Sequence, residues 1–420
     1  MIKAVTGTKD ILPLEIQKWK YLEQIVNDTF TRFNYKEIRT PIFEVTSLFA
    51  RGIGEATDIV SKEMYTFIDR GGDSLTLRPE LTASVVRALV EHSLDKKQNL
   101  NKLFYIGPMF RQERPQAGRF RQFHQFGAEA IGGNDPLLDA EMIIVAYDII
   151  SKLGLKNLSV KINSLGTPSS REEYKNILRE YLNDKIHSLS EESKKRLDLN
   201  ILRIFDSKDE RDKVVMANAP LLINYLEQES IEHFEKVKSA LSNAGIPYEV
   251  DSTLVRGLDY YTHTTFEIIS GSVGSQSALC GGGRYNGLVK EIGGPDLPGV
   301  GFAAGIERIL LACENENSFM AEEQIPDLYI VTLEKELQNK SFDIALQFRR
   351  NGLKVELDYL NRSVKAQMRE ANRLNVKFVL MIGGEELSNG EVVLKNMKNS
   401  EQFNLPLNNL VGITNKIMEV

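Results

Sequence analysis

The sequence is poor in cysteine, since only Cys280 and Cys313 occur among its 420 residues. Two cysteines cannot build a zinc cluster, and they suggest no disulfide framework. The five histidines are scattered singly along the chain, so no metal site is predicted. A reducing cytoplasm is the expected compartment for a chain of this kind.

Long apolar runs are also missing. No stretch approaches the roughly 20 apolar residues that a membrane-spanning helix needs. The first residues, MIKAVTGTKDILP, lack the apolar core of a signal peptide. The net charge of −6 argues against a protein coated in phosphate-binding charge, but it is compatible with nucleic-acid binding at local basic patches. The length allows two or three domains.

The most informative stretch is residues 104–131, FYIGPMFRQERPQAGRFRQFHQFGAEAI. It predicts two strands, because Pro115 and Gly118 mark a loop over residues 112–121 between two β-rich segments. Side chains alternate across a strand, so every second residue from Phe123 to Glu129 shares one face. We expect an aromatic ring, an amide and a carboxylate to meet Arg111 of the neighbouring strand there. That set suits a ligand with a flat ring, a phosphate and a small charged group.

Four arginines, at positions 111, 114, 119 and 121, make this loop basic. On spacing alone, a solvated turn explains them as well as a binding site does.

Other segments predict the surrounding elements. Residues 15–33 have helical apolar spacing, and residues 35–49 predict an edge strand that Pro41 ends. Residues 63–69 and 74–79 predict a hairpin, followed by a helix that begins near Glu80 and Thr82. These two side chains either cap that helix or bind an ammonium group.

Beyond these elements, the composition changes twice. Residues 168–228 are charged, helical and poor in strand signals, which indicates an insertion. Residues 314–326 predict a linker, and from residue 327 the pattern becomes βαβ, which predicts a small α/β domain with a mostly parallel sheet. The glycines before Arg284 do not fit a phosphate-binding P-loop and indicate a turn or a close backbone approach.

Several stretches resemble one enzyme family. FRQER followed by GRFRQFHQFG resembles motif 2 of the class II aminoacyl-tRNA synthetases, in its histidyl form. YKEIRTPIFEVTSLF and GVGFAAGIERILLAC resemble motifs 1 and 3 of that class. LVRGLDYYTHTTFEI and ALCGGGRYNGLV resemble the two signatures peculiar to histidyl-tRNA synthetases, although Asn286 replaces the usual Asp. Leu81 likewise stands where the familiar bacterial form has Gly.

The resemblance implies an α+β fold with three parts. Residues 1–325 are expected to form a class II catalytic domain, an antiparallel sheet with flanking helices. Residues 168–228 are expected to be a helical insertion in it, over the tRNA acceptor arm. Residues 327–420 are expected to form an α/β anticodon-binding domain.

The resemblance also implies site residues. Arg111 and Arg256 are the expected catalytic residues. The expected histidine-binding residues are Glu80, Thr82, Arg111, Gln125, Glu129, Arg256, Tyr260 and Tyr261. The expected ATP-binding residues are Arg111, Glu113, Phe123 and Arg308. Arg114 and Gln116 are expected to contact tRNA. The basic residues around the 364–374 helix, Arg362, Lys365, Arg369 and Arg373, are weaker candidates for the anticodon, since a solvated helix face explains them equally.

A member of this family is expected to be a histidine–tRNA ligase. It would join L-histidine to ATP as histidyl-adenylate, with Mg2+ entering with ATP, and transfer the histidyl group to tRNA(His). Motif 1 implies a homodimer.

Two alternatives remain open from the sequence. Some chains of this type are regulatory subunits of ATP phosphoribosyltransferase, but they tend to lack the C-terminal domain and to lose the motif residues that this chain keeps. The other is a class II relative for another amino acid, against which the stretches at 254–268 and 278–289 argue.

Overall fold

The structure is a computed structural model that describes residues 1–54, 57, 59–256, 260–276, 278–318 and 325–419. The chain forms two compact units, Met1–Ala321 and Glu322–Val420. Residues 257–259 of the first predicted signature and residues 319–324 of the predicted linker lie outside the described residues. Among the described residues, no helix has both the length and the apolar character needed to cross a membrane.

The first unit mixes helices and strands along the chain. Its helices are α1 (Pro13–Arg32), α2 (Thr46–Ile53), α3 (Thr82–Glu91), α4 (Leu94–Lys97), α5 (Pro136–Lys152), α6 (Pro168–Asn183), α7 (Glu191–Leu199), α8 (Glu210–Met216), α9 (Gln228–Asn243), α10 (Leu288–Glu291) and α11 (Ile306–Glu316). Its strands are β1 (Lys36–Glu37), β2 (Phe43–Val45), β3 (Tyr65–Ile68), β4 (Ser74–Leu77), β5 (Asn101–Phe110), β6 (Gln122–Ile131), β7 (Leu158–Ser164), β8 (Tyr248–Val250), β9 (Thr262–Ser270), β10 (Ala278–Arg284) and β11 (Gly299–Gly305). A π-helical turn, Ile59–Glu63, precedes β3.

Eight of these strands form one sheet in the order β1-β5-β6-β11-β10-β9-β7-β8. The six central strands pair antiparallel, and only the short edge strands β1 and β8 pair parallel. The predicted antiparallel sheet, the predicted strand pair around residues 112–121 and the edge strand before Pro41 are therefore confirmed.

Helices α1 and α5 pack on one face of this sheet. Trp19, Leu22, Val26 and Phe30 of α1 are buried at helical spacing, as predicted. The Phe30 ring stacks on Phe104 of β5, with ring centroids 4.6 Å apart. Since this face is filled by the core, the alternate side chains of β5 and β6 are available to the other face.

Strands β2, β4 and β3 form a separate three-stranded sheet. The predicted hairpin is β3 paired antiparallel to β4. Its register aligns two rows of apolar residues across the three strands: Phe43, Leu77 and Tyr65, and Val45, Leu75 and Phe67. Phe43, Val45 and Phe67 are each about half exposed. Within the described part of the chain, this apolar sheet face is left partly open to solvent.

Residues 168–228 contain helical elements without strands, as predicted. Tyr174, Leu178 and Leu182 of α6 are buried against 3-10 turns and loops of the same region. Nearby, Asp212 accepts hydrogen bonds from the hydroxyls of Ser190, Ser193 and Ser207, which ties the short helices together.

The second unit contains α12 (Gln338–Arg350), α13 (Val364–Arg373), α14 (Gly384–Ser388) and α15 (Leu410–Met418). Its strands are β12 (Leu328–Thr332), β13 (Val355–Leu357), β14 (Phe378–Ile382), β15 (Glu391–Asn396) and β16 (Gln402–Pro406). The sheet order is β13-β12-β14-β15-β16. The prediction of a mostly parallel sheet is wrong, because β14–β15 and β15–β16 pair antiparallel and β16 was not predicted.

Candidate active site

A cavity of about 620 Å³ lies in the first unit. It is lined by β6, β10, β11, the start of α3 and the loop between β5 and β6. We call this loop, residues 112–121, the motif 2 loop. The cavity brings together most of the predicted site residues: Glu80, Thr82, Arg111, Glu113, Phe123, Gln125, Arg256, Tyr260, Tyr261 and Arg308. Glu129, Arg114 and Gln116 are not part of its lining.

Arg111 follows directly after β5. Its Nε donates to the carbonyl oxygen of Pro79 across 2.9 Å, which fixes the side chain next to the start of α3. Its guanidinium carbon lies 5.3 Å from the centre of the Phe123 ring, and its Nη1 lies 3.6 Å from Glu113 Oε1. Arg111 therefore joins the aromatic ring and the carboxylate in one group.

Arg256 reaches the cavity from the segment before β9. Its Nη1 forms an ion pair with Glu267 of β9, whereas its buried Nε has no hydrogen-bond partner among the described residues. Burial alone would lower the pKa of Arg256, but the negative charge of Glu267 raises it, so the guanidinium stays charged. A Cβ at Gly281 of β10 would lie 2.3 Å from Arg256 Nη2. Glycine at 281 thus makes the space that the guanidinium occupies.

Arg308 lies on α11 and enters the cavity beneath the motif 2 loop. It donates from Nε to the carbonyl oxygen of Gly118 across 3.2 Å and from Nη1 to that of Ala278 across 3.0 Å. Burial lowers its pKa from the usual value, and the nearby charge of Arg119 adds to that effect. An anion in the cavity would relieve this crowding of positive charge.

Glu80 and Thr82 stand at the start of α3. Glu80 caps the helix, since its two oxygens accept from the backbone N–H groups of Thr82 and Ala83 at 2.6 and 2.9 Å. Burial raises the pKa of Glu80, and these backbone hydrogen bonds oppose the rise. The capping interpretation is therefore confirmed for Glu80, and the same carboxylate lines the cavity.

Glu129 is completely buried behind the cavity wall and is held by three hydroxyl groups. Thr82 and Tyr105 donate to Oε1 across 2.8 and 3.2 Å, and Tyr285 donates to Oε2 across 2.5 Å. Burial raises the pKa of Glu129 to about 8 against the opposing effect of these donors. A carboxyl group held in this way is fixed in position while its charge remains sensitive to whatever enters the cavity.

Tyr105 and Tyr285 were missed by the sequence analysis. Tyr105 lies directly opposite Gly127 in the β5–β6 register, and a Cβ at Gly127 would lie 2.5 Å from its hydroxyl. The signal for Tyr105 is a glycine that faces an aromatic residue on the neighbouring strand. It can be recognised only when the register of β5 against β6 is known, and the sequence does not give that register. Tyr285 lies within the predicted ALCGGGRYNGLV stretch, where its hydroxyl had no visible partner.

Gln125 faces the cavity from β6. Its Oε1 is buried without a hydrogen-bond partner among the described residues. An unpaired buried acceptor is costly, so this atom is prepared to receive a donor from a ligand.

Tyr260 and Tyr261 form an aromatic wall. Their ring centroids are 4.7 Å apart, and the Tyr285 ring meets Tyr260 edge-on at 5.7 Å. Burial raises the pKa of both Tyr260 and Tyr261, so their hydroxyls remain protonated. The backbone oxygen of Tyr261 accepts a hydrogen bond from Arg171 of α6, which connects this wall to the insertion.

The helical insertion also supplies cavity residues that were not predicted: Arg196, Arg203, Asp206 and Lys208. Burial raises the pKa of Asp206 to about 6. The sequence showed only a high charge density here, which did not indicate which charges face inward.

Arg114 and Gln116 are exposed near the tip of the motif 2 loop. Gln116 and Arg119 exchange backbone hydrogen bonds, with Gly118 at φ +70° between them, so the tip is a tight turn. Glu113 and Arg119 form an ion pair across 3.2 Å at its base.

The basic candidates on the second unit are partly neutralised. Arg362 pairs with Asp358, and Arg373 pairs with Glu370 across 2.5 Å. Lys365 and Arg369 are exposed on α13. This pattern favours a solvated helix face over a strong anion site.

The cavity thus combines several arginines, among them the three predicted ones, with aromatic rings and carboxyl groups. Such a set can hold a polyphosphate, a flat base and a small zwitterion at once. Within the described part of the chain, no three His, Cys, Asp or Glu side chains are grouped to hold a metal ion.

Comparisons with known proteins agree with this chemistry. Residues 7–309 match the family model described as Histidyl-tRNA synthetase, and residues 327–417 match the one described as Anticodon binding domain. The chain is 52% identical over 408 residues to a histidine–tRNA ligase of Geobacillus sp. (strain WCH70), covering 96% of each chain. It is 50% identical over 417 residues to that of Halothermothrix orenii, covering 99% of this chain and 100% of the relative. The crystal structure of apo histidyl-tRNA synthetase from S. aureus is similar, with a TM-score of 0.85, 42% identity and coverage of 99% and 100%.

Proposed function

The chain belongs to the histidyl-tRNA synthetase family, and on this premise we propose how its residues ligate L-histidine to tRNA(His) at the expense of ATP. In the first step, the carboxylate of histidine attacks the α-phosphate of ATP, which gives histidyl-adenylate and pyrophosphate. In the second step, a ribose hydroxyl of the terminal adenosine of tRNA takes the histidyl group and AMP leaves. The observation that carries the proposal is the meeting of Arg111, Arg256 and Arg308 in one cavity.

The three arginines divide the phosphates between them. Arg111 holds the α-phosphate and the carboxylate of histidine, and Arg256 approaches the same phosphate from the other side. Arg308 holds the γ-phosphate. Negative charge builds on phosphorus in the transition state, so preplaced cations lower the barrier without a nucleophilic side chain. Arg111 and Arg256 are the proposed catalytic residues.

Adenine binds between Phe123 and Arg308. The ring of Phe123 stacks on one face of the base and the guanidinium of Arg308 covers the other. Glu113 accepts from the adenine amino group. Arg111 Nη1 lies 3.6 Å from the same carboxylate, which holds it at the edge of the proposed adenine position.

The imidazole ring is recognised by Glu129 and Tyr261, with Tyr260 beside the same pocket. In its ionised form, Glu129 keeps one acceptor position beyond those used by its three hydroxyl donors, and this position can accept from an imidazole N–H group. A site built to pair both ring nitrogens rejects amino acids that lack them, because its own buried groups would remain unpaired.

The amino group of histidine binds to Glu80, Thr82 and Gln125. The Thr82 hydroxyl donates its hydrogen bond to Glu129, so its oxygen lone pairs remain available to accept from an ammonium group. The unpaired Oε1 of Gln125 supplies another acceptor.

ATP enters as its magnesium complex, in which phosphate and water oxygens are the usual ligands of the ion. The residues proposed for ATP therefore act on Mg-ATP as a substrate.

Residues 1–325 act as the catalytic domain, with the insertion at 168–228 over the tRNA acceptor arm. Arg114 and Gln116 on the motif 2 loop contact the acceptor end, where exposed bases are read by side chains. Residues 327–420 bind the anticodon. The match of residues 327–417 to an anticodon-binding family supports this assignment.

The working form is a homodimer in the cytoplasm. The apolar sheet face of β2, β4 and β3 supports the dimer, since exposed contiguous apolar surface of this kind marks interaction sites. A second copy of the chain is the proposed occupant.

The deciding experiment is ATP–pyrophosphate exchange with each of the twenty amino acids, with magnesium and without tRNA. Exchange that depends on histidine alone is the expected result. Arg256→Ala should abolish it while the protein remains folded, and Arg211→Ala, which removes an exposed arginine of the insertion, is the matched control. A folded protein without exchange for any amino acid would favour the regulatory-subunit alternative, and exchange with another amino acid would reassign the pocket.

A further inference from the structure

The N-terminal segment contacts the motif 2 loop at Gly7. Residues 5–8 form a turn, in which the backbone N–H and the hydroxyl of Thr8 donate to the carbonyl oxygen of Val5 across 2.9 and 2.8 Å. Gly7, inside the turn, has φ +88°. The turn presents the carbonyl oxygen of Gly7 to the backbone N–H of Arg121, which donates to it across 2.7 Å.

Arg121 connects this turn to the residues proposed for catalysis. Its carbonyl oxygen accepts from the backbone N–H of Arg111 across 2.9 Å, and its Nε donates to the carbonyl oxygen of Glu113 across 3.4 Å. The same residue thus receives the N-terminal turn on one side and positions both Arg111 and Glu113 on the other. A displacement of Arg121 would be passed directly to their backbone.

The contact has room only for glycine. A Cβ at position 7 would lie 2.8 Å from Cγ and 2.9 Å from Cδ of Arg121, and 3.1 Å from Cγ of Pro115. In addition, an L side chain is strained at this positive φ. Two independent requirements, the backbone conformation and the close approach to the motif 2 loop, meet at one residue.

The turn itself buries little apolar surface. Met1, Ile2 and Val5 are largely exposed, so the turn is not fixed by burial of its apolar side chains. The Gly7–Arg121 hydrogen bond and the packing of Gly7 against Arg121 and Pro115 join it to the motif 2 loop.

We propose that the N-terminal turn is part of the catalytic apparatus, with Gly7 as a positioning residue that holds the motif 2 loop through Arg121. It contacts no substrate. It sets the backbone at Arg111 and Glu113, and thereby the geometry of the α-phosphate and adenine contacts. The kinetic consequence rests on the proposed function of Arg111, whereas the anchoring of the loop does not.

The test compares Gly7→Ala with Gly245→Ala in the full chain. Gly245 also has a positive φ, of +71°, but no described atom lies within 4 Å of a Cβ built there, so this control carries the backbone strain without the contact. Amide hydrogen exchange of peptides covering residues 111–122 reports on the loop directly, because the Arg121 N–H is the donor to Gly7.

We expect Gly7→Ala to accelerate amide exchange in residues 111–122 and to lower kcat for histidine-dependent ATP–pyrophosphate exchange by about tenfold to a hundredfold, the range that misplaced catalytic groups produce. The Gly245→Ala variant should change neither quantity. The thermal unfolding midpoints of the two variants should be similar.

Unchanged amide exchange in folded Gly7→Ala would overturn the anchoring, whatever the kinetics. Faster amide exchange with a wild-type kcat would overturn the positioning role. If Gly7→Ala does not fold, Thr8→Ala replaces it, since this variant loses only the hydroxyl bond to Val5 and should produce the same changes at smaller size. If the wild-type protein shows no ATP–pyrophosphate exchange, the proposed function is refuted. Amide hydrogen exchange would still test the anchoring of the loop.

Discussion

Tyr285 donates its hydroxyl to Glu129 across 2.5 Å, and both side chains are closed to solvent. We expect Tyr285→Phe to raise KM for histidine by about tenfold, because a buried polar group that loses its hydrogen-bond partner costs about 1–3 kcal/mol. KM for ATP should remain near the wild-type value. Steady-state ATP–pyrophosphate exchange measures both quantities.

The control for this change is Tyr248→Phe, which removes a hydroxyl from the edge strand β8, on the sheet edge opposite β1. Equal KM values for histidine in Tyr285→Phe and Tyr248→Phe would contradict the role of Tyr285.

The burial of Glu129 makes the stability of the protein depend on pH. Its pKa is about 8 in the folded chain, against the ordinary value of 4.5. Between pH 4.5 and pH 8, the folded state therefore keeps a proton that the unfolded state has lost. The contribution of this proton to the free energy of unfolding is complete below pH 4.5. It is lost as the pH rises toward 8, by at most about 1.4 kcal/mol per pH unit.

Glu129→Gln cannot titrate, so the difference in thermal unfolding midpoint between wild type and this variant should change across that window. The measurement is made without histidine. A difference that stays constant from pH 5 to pH 8.5 would show that Glu129 does not titrate in this range.

Gly281→Ala should disable Arg256 without removing it. The new Cβ would lie 2.3 Å from the end of the guanidinium, which is flexible enough to move away while the strand survives. We expect adenylate formation to fall about a hundredfold, as for other misplaced catalytic groups. Single-turnover formation of adenylate is the measurement, with circular dichroism to check the fold.

The matched control is Gly271→Ala, since no described atom lies within 4 Å of a Cβ at that position. Wild-type adenylate formation in folded Gly281→Ala would mean that the guanidinium position observed here is not the working one.

Arg114→Ala should separate the two steps of the reaction. Arg114 is exposed on the motif 2 loop and does not line the cavity, so ATP–pyrophosphate exchange without tRNA should be retained. If the side chain contacts a base, kcat/KM for tRNA in aminoacylation should fall by a factor that corresponds to about 1–3 kcal/mol. Arg32→Ala, at the exposed end of α1, removes the same charge elsewhere. An equal fall of kcat/KM for tRNA in both variants would mean that the effect comes from the change in net charge and not from a contact of Arg114 with tRNA.

Phe67→Glu should give a monomer. The substitution places a charge on the apolar sheet face, where a second copy would have to bury it. Light scattering after size exclusion measures the mass. Val214→Glu introduces the same charge at an exposed apolar residue of α8 and should leave the dimer intact. A dimer that persists in Phe67→Glu would exclude this face.

The local pattern of the chain predicts much of the fold. Apolar spacing places α1, and turn residues at 115 and 118 separate β5 from β6, because these signals depend only on neighbours in sequence. The pairing of β15 with β16 was missed. Residues 402–406, QFNLP, end in proline and carry little apolar pattern, and an edge strand needs little.

The candidate site was predicted less completely. Motif residues led to the cavity lining, but the insertion residues Arg203 and Asp206 reach it through long-range packing that sequence spacing does not contain. The contact of Tyr105 with Glu129 behind the cavity wall depends on such packing too. Gly7 is a similar case. It precedes the motif 2 loop by more than a hundred positions, and only the fold shows their contact.

The glycines of β10 have a consequence for how the protein tolerates change. A Cβ at Gly282 would lie 2.2 Å from the carbonyl oxygen of Gly301, and one at Gly283 would lie 2.5 Å from that of Thr264, whereas at Gly281 the obstacle is a side-chain end. In a complete substitution scan, we therefore expect these three consecutive glycines to tolerate no replacement, although none of them has a side chain that could contact a substrate. At Gly282 and Gly283 the damage would appear in the yield of folded protein, and at Gly281 in turnover.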